Sequence, residues 1–282
     1  MSKRSAFPRR TAGPTSRRPA SRRRRALGQH FLTNASAARR LVELFAPAPG
    51  EKVIEIGPGR GALTGLLLEA GASVTAIEVD AALAAELGSR HQGHPGLTLV
   101  QADVLRCDLA ALASPAARVM ANLPYAITGE VLARLFEASP PITGMLLMLQ
   151  REVVERIVAA PGGREYGSLS MLCQYVSEPK VVMSLSPGSF SPPPAVSSSV
   201  VHLPVRPVRE LAREQETGYA LFIRTLFAHR RQTLLNNLKA AGHGTEPARD
   251  RLAALGIDPA RRPETLTREE GLALYRAMAP RS

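Results

Sequence analysis

Four stretches of this chain end in residues able to hold or react with a flat nitrogen heterocycle. Val119-Met120-Ala121-Asn122-Leu123-Pro124-Tyr125 is an apolar run that closes on an amide, a proline and an aromatic ring. The Asn122 amide can accept from, or donate to, the edge of a base. Pro124 has no N–H and holds Leu123 extended, which leaves local carbonyls free to accept. Tyr125 offers a face on which a base can stack. Taken alone, the tetrapeptide is equally an ordinary Asn-x-Pro turn after a strand. Gly57-Pro58-Gly59-Arg60-Gly61-Ala62 follows a short apolar run and matches the dinucleotide fingerprint with Ala at its last position. Its glycines let backbone approach a ligand, although a tight structural turn has the same composition. Glu78 stands 21 positions after Gly57, the separation at which a carboxylate accepts from both hydroxyls of a cofactor ribose. Asp103, after a third run, is placed to accept from an exocyclic amine of the same cofactor.

These residues need a scaffold of strands whose carboxyl ends lie side by side. The pattern predicts strands over residues 52–56, 73–78, 97–101 and 119–122, with helices over 62–70, 81–87 and 129–137 between them. Such alternation implies an open α/β sheet with its chemistry at the carboxyl ends of the strands. A helix capped by Asn34 and carrying Ala37, Leu41, Leu44 and Phe45 on one face precedes the sheet. Residues 145–149 form a near-continuous apolar strand suited to the sheet centre, and 181–185 and 200–203 close the sheet. After Pro207 the signal turns helical, including 219–227 and 233–239. The expected organisation is therefore a basic tail over 1–25, an α/β unit over 26–204 and a small all-helical unit over 205–282.

Charge divides the chain in the same way. Residues 1–25 contain ten Lys or Arg and no acid, 26–204 twelve basic and fifteen acidic residues, and 205–282 fourteen basic and nine acidic, for a net +12 overall. Polyanion attraction thus sits at the two ends, as expected of a nucleic-acid partner. The first 25 residues have almost nothing to bury and read as a disordered tail. An organelle transit peptide has a similar composition, but prolines 8, 14 and 19 oppose the amphipathic helix it needs. No apolar run reaches membrane-spanning length, no secretory signal opens the chain, and two distant cysteines fit neither a disulfide framework nor a zinc site. A cytoplasmic setting is expected. His91 and His94 flank Gly93 and Pro95 and read as loop residues, so no metal site is expected.

The order of strand ends (a glycine turn, an acid, an acid, then Asn-Leu-Pro-Tyr) separates two cofactor classes. A nicotinamide enzyme has no use for the last cluster, whereas a methyltransferase acting on a planar amine does. Gly28-Gln-His-Phe-Leu32, Glu55-Ile-Gly-Pro-Gly-Arg-Gly-Ala-Leu-Thr64 and Asn122-Leu-Pro-Tyr125 together resemble the ribosomal RNA adenine N6,N6-dimethyltransferase family. Ser189-Phe190 with the Pro-rich stretch that follows is similar to a further segment of that family, and Phe227-Ala-His-Arg-Arg-Gln-Thr-Leu-Leu-Asn-Asn-Leu238 is similar to a C-terminal motif of its small-subunit (16S) branch.

The resemblance implies a Rossmann-like sheet binding S-adenosyl-L-methionine. In it, Gly57 and Gly59 approach the methionine part, Glu78 the ribose and Asp103 the adenine, with His30, Leu32 and Asn122 bordering the cofactor. It further implies that the Asn122 amide oxygen and a Leu123 or Pro124 carbonyl accept from adenine N6, while Tyr125 and Phe190 sandwich the base. Arg230 and Arg231, at the start of a helix, are expected to meet phosphate. Gln232 replaces the Lys common in the family and removes one charge from that surface. The implied partner is 16S rRNA in a precursor of the small subunit, methylated by a monomer. The alternatives are a large-subunit (23S) enzyme of the macrolide-resistance type and a non-catalytic assembly factor.

Overall fold

The computed structural model describes residues 29–139 and 141–279. The basic tail and the start of the Gly28–Leu32 motif lie outside them.

The first elements are β1 (Phe31–Leu32), α1 (Ala35–Phe45), β2 (Lys52–Ile56), α2 (Thr64–Glu69), β3 (Ser73–Glu78), α3 (Ala81–Arg90), β4 (Leu97–Gln101), α4 (Leu109–Ala113) and β5 (Ala117–Asn122). They continue with α5 (Thr128–Glu137), β6 (Ile142–Gln150), α6 (Arg151–Val158), α7 (Ser168–Val176), β7 (Lys180–Leu185), β8 (Phe190–Ser191) and β9 (Ser198–Pro204). Among the described residues the last α-helices are α8 (Arg213–Leu226), α9 (Leu234–Ala240), α10 (Thr245–Ala254) and α11 (Arg268–Met278).

Seven strands form one sheet in the order β4-β3-β2-β5-β6-β9-β7. The first four pairings are parallel, while β9 runs antiparallel to both β6 and β7. The chain winds outward from β2 to β4, then crosses back to β5 and winds the other way. The crossover leaves a crevice between the carboxyl ends of β2 and β5, where an α/β sheet of this kind takes its ligand. A separate antiparallel pair, β1 with β8, sets Leu32 opposite Phe190.

Alternating side chains sort the core onto two faces. Ile54, Ile56, Val119, Ala121, Met145, Leu147 and Leu149 join one buried cluster. Their neighbours Val53, Met120, Leu146 and Met148 join the other, beneath α1 and α2. The expected Asn34 cap is present, its side chain accepting from the Ala37 N–H at 3.0 Å. Several elements differ from expectation in their bounds, as β6 does by starting at Ile142 and α8 by starting at Arg213. Helix α3 runs past the expected end at Leu87 to Arg90, and α7 covers a stretch for which no element is expected from the sequence, because packing rather than propensity decides a short helix. A third cluster gathers Tyr166, Met171, Tyr175 and Val176 with apolar residues of α8 to α11. The helical part thus shares its core with chain that precedes residue 205. Among the described residues no helix is long and apolar enough to cross a membrane, and Cys107 and Cys173 are free thiols.

Candidate active site

A cleft enclosing about 710 Å³, its open mouth included, lies at the crossover. Gln29, His30, Phe31, Gly57, Gly59, Glu78, Val79, Asp103, Asn122 and Tyr125 are among the residues lining it. Five segments distant in sequence therefore meet there, four of them from the ends of adjacent strands.

The glycine turn is set by backbone conformation. Gly57 and Gly59 have φ of 68° and 57°, a region that L side chains rarely adopt. A Cβ on Gly59 would stand 2.8 Å from a Phe31 ring carbon, so the turn is also closed to side chains by contact. In this shape the Gly59 N–H points at the neighbouring strand end and donates to Glu78 Oε2 at 3.0 Å. The other Glu78 oxygen accepts from the Asp80 N–H at 2.9 Å. Two fixed donors aim the carboxylate, and each oxygen keeps a lone pair for a further donor. Burial raises the Glu78 carboxyl above its usual range against the lowering by those N–H groups.

Glu55 is the group that sequence reading left without a role. It projects from β2 on the Val53 side, is 2% exposed, and accepts from the Thr64 hydroxyl at 2.6 Å. Burial, with the nearby Glu78 adding to it, pushes its carboxyl up to about 7. The signal was available: an acid inside a strand flanked by strands on both sides has nowhere solvated to go. Glu55 lines a narrow crevice with Leu32, Pro58, Arg60 and Met148 that shares Phe31, Gly57 and Asn122 with the main cleft.

Asn122 closes β5 with its amide orientation determined. Its Nδ2 donates to the His30 carbonyl at 2.9 Å, and since a carbonyl can only accept, Oδ1 is left as the acceptor. The Pro124 carbonyl already accepts from the Ile127 N–H and the Thr128 hydroxyl, both at 3.2 Å. No bond to the Leu123 carbonyl occurs among the described residues, whereas the Leu123 N–H is tied to Met148 O at 3.3 Å. Of the two carbonyls expected to act, Leu123 is the one left free. The Tyr125 ring lies 5.6 Å from the His30 ring, and its hydroxyl is hydrogen-bonded to Ser198 Oγ at 3.0 Å.

Other expected residues stand differently. His30 meets the site through its carbonyl, while its Nδ1 pairs with the Pro192 carbonyl at 2.7 Å. Leu32 is buried beside the smaller crevice rather than in the main cleft. Phe190 is 4% exposed, packs in the cluster under the sheet and does not line the cleft. The β1–β8 pairing turns it inward, so here it serves as core and not as the second wall for a base. Asp103 lines the cleft with one oxygen committed to the Leu105 N–H at 3.0 Å, which starts a short helical turn.

Arg230 and Arg231 lie in the turn before α9 and not at its start, which Thr233 caps by accepting from the Asn236 N–H. Arg230 Nη2 donates to the Arg164 and Tyr166 carbonyls at 2.8 and 2.9 Å, so it holds a loop in place. Arg231 has no ion pair among the described residues and shares an open hollow with Arg164, Arg230 and Arg262.

The family model "Ribosomal RNA adenine dimethylase" matches residues 20–279. The chain is similar to the protein named Ribosomal RNA small subunit methyltransferase A in Acidobacterium capsulatum, 38% identical over 258 residues, covering 91% of each chain. It is similar to the protein of the same name in Geobacter sulfurreducens at 39% identity, covering 91% of this chain and 95% of that one. Among solved structures it shares a fold with a dimethyladenosine transferase from Plasmodium falciparum (TM-score 0.72, 23% identity, 87% of this chain and 96% of that chain). The 23S rRNA methyltransferase ErmE has the same fold (TM-score 0.68, 23% identity, 88% and 99%).

Proposed function

The chain belongs to the ribosomal RNA adenine dimethylase family, and from that premise we propose that it dimethylates N6 of two adjacent adenines in the 3′-terminal hairpin loop of 16S rRNA. It acts as a cytoplasmic monomer on a precursor of the small subunit. One observation carries this reading: the end of β5 presents the Asn122 Oδ1 and the Leu123 carbonyl as two uncommitted acceptors, beside the glycine turn and two strand-end acids.

The residues present suit S-adenosyl-L-methionine, which supplies a methyl group on a sulfonium when bound. Glu78, aimed by the Gly59 and Asp80 N–H groups, keeps acceptor capacity for ribose hydroxyls. Gly57 and Gly59 leave the turn open to close approach, Asp103 offers its second oxygen to an adenine amine, and His30 and Leu32 border this end of the site through backbone and packing. An adenine N6 lone pair is delocalised into the ring, so the nitrogen attacks poorly until it pyramidalises. Two acceptors on the N6 hydrogens favour that geometry, and as fixed dipoles they act where charge develops in the transition state. Orientation of N6 toward the methyl group supplies the remainder of the acceleration. Tyr125 gives the extruded base a stacking wall, with its own position held by Ser198. A second transfer to the same nitrogen needs only that one acceptor lose its hydrogen to a methyl group, which a cleft with an open mouth tolerates.

Residues 26–204 form the transfer unit, and 205–282 position the RNA, with Arg231 the stronger candidate of the two arginines for a phosphate contact. Incubation with labelled S-adenosyl-L-methionine and unmodified small-subunit particles, large-subunit particles or DNA tests the assignment. Label is expected on small-subunit RNA alone. Label confined to large subunits overturns it in favour of the macrolide-resistance type, and none on any substrate favours a non-catalytic assembly factor.

A further inference from the structure

Arg60 stands in the glycine turn and is exposed. Its guanidinium carbon is 5.2 Å from the centroid of the Phe31 ring. The opposite constraint on that ring comes from Gly59, where any side chain would collide with it. Phe31 is therefore a fixed platform, and a guanidinium resting on an aromatic face is held in direction while keeping its N–H fork available. The loop beneath is fastened as well: the Arg60 carbonyl accepts from Arg90, which is itself paired with Glu86 at 2.8 Å.

Among the described residues Arg60 has no ion pair, although Glu55 lines the same crevice and Glu78 lies just beyond it. Arg60 is exposed and lines the smaller crevice that adjoins the main cleft. Arg60 and Asn122 line that one crevice from the ends of adjacent strands. A base drawn out of its stack to reach Asn122 leaves its sugar–phosphate at the mouth, since phosphates position a nucleic acid while bases enter sites.

We propose that Arg60 is a positioning residue for the RNA substrate, its Phe31-seated guanidinium taking a backbone phosphate next to the extruded adenosine. This rests on the reading of the cleft as an RNA adenine site, but not on which ribosomal RNA is used. A carboxylate of the bound cofactor is the other oxyanion within reach of the turn, and the S-adenosylhomocysteine measurement below separates the two.

The test compares wild type with Arg60→Gln and Arg60→Lys in the full-length chain, on whichever ribosomal particle the wild type methylates. Affinity for that particle and KM for methyl transfer are measured across a salt series, with S-adenosylhomocysteine binding and thermal unfolding measured alongside. Arg60→Gln is expected to raise KM about fivefold at low salt and to flatten the log–log salt slope by about one unit. Arg60→Lys should retain the slope and recover most of the affinity. Cofactor-product binding and unfolding temperature should not change. An unaltered slope and KM in Arg60→Gln overturns the proposal, and so does a loss restricted to S-adenosylhomocysteine affinity. Large-subunit labelling by wild type would sink the 16S assignment, while the Arg60 comparison would still be decided on that substrate.

Discussion

The cleft and the arginine-rich helical part use polar groups in opposite ways. In the cleft, backbone partners aim the Asn122 and Glu78 side chains and leave capacity unused: Asn122 by the His30 carbonyl, Glu78 by the Gly59 and Asp80 N–H groups. In the helical part most of the arginines with described partners are consumed by structure. Arg209 pairs with Glu216 at 2.8 Å and bonds the Ser139 carbonyl. Arg213 reaches the Glu137 and Ser139 carbonyls at the end of α5. Arg261 takes Glu270 through both terminal nitrogens at 2.7 and 2.9 Å, and Arg268 takes Glu210 at 2.5 Å. A basic count in this part is thus chiefly a count of braces. Free charge for RNA is confined to fewer positions, Arg231 among them.

The contrast is open to direct attack, and its largest consequence is catalytic. Asn122→Ala removes one of the two free acceptors and should cut kcat about a thousandfold, with S-adenosylhomocysteine still bound and unfolding temperature nearly unchanged. Near-normal turnover would break the acceptor argument. Arg209→Met tests the braces: its side chain is 6% exposed, and losing it leaves Glu216, 17% exposed, with the Tyr175 hydroxyl but without its cation. Urea unfolding should show a loss of about 3 kcal/mol, while the salt slope for RNA stays put. A flattened slope with normal stability would show Arg209 to be a phosphate contact.

Glu55 gives the next effect. The unfolded chain releases this proton near 4.5, whereas the folded protein holds it up to about 7. Folding therefore favours the protonated form. Its contribution to stability is complete below 4.5 and is lost as pH rises through about 7. Glu55→Gln keeps an acceptor for Thr64 and removes the ionisation, so at pH 8 it should unfold later than wild type by about 2 kcal/mol. Identical pH profiles for the two proteins would remove Glu55 as a buried titrating group. The smallest change belongs to Arg231→Gln, expected to weaken RNA binding about threefold with no loss of stability and a salt slope lower by about one unit. Arg230→Gln should behave in the opposite sense, losing stability first, because its donors hold the Arg164 and Tyr166 carbonyls.

Much of the site was legible in the chain because local geometry is encoded locally. A glycine turn requires glycine where φ is positive, and an acid at a fixed distance along a βαβ unit lands on the adjacent strand end, as Glu78 does on β3. Asn34 capped its helix, and the strand ends fell in the expected order, for the same reason. Less legible was anything set by contacts between distant segments. Phe190 carried a motif that suggested a base wall, yet pairing of β8 with β1 put it in the core. The arginines of the helical part looked alike in composition, and only their partners separate Arg230 from Arg231.

The amino-acid sequence by itself determined the chemistry available, through residue types at strand ends and the spacing between Gly57, Glu78, Asp103 and Asn122. Tertiary structure decided which atoms of those residues are free to act. The His30 carbonyl, 92 positions from Asn122, turns the amide so that oxygen is the open acceptor, and the short turn after β5 occupies Pro124 and spares Leu123. A hydrogen-bond acceptor is a property of a residue, but its availability depends on what else lies within about 3 Å, and that is settled only when the chain is folded.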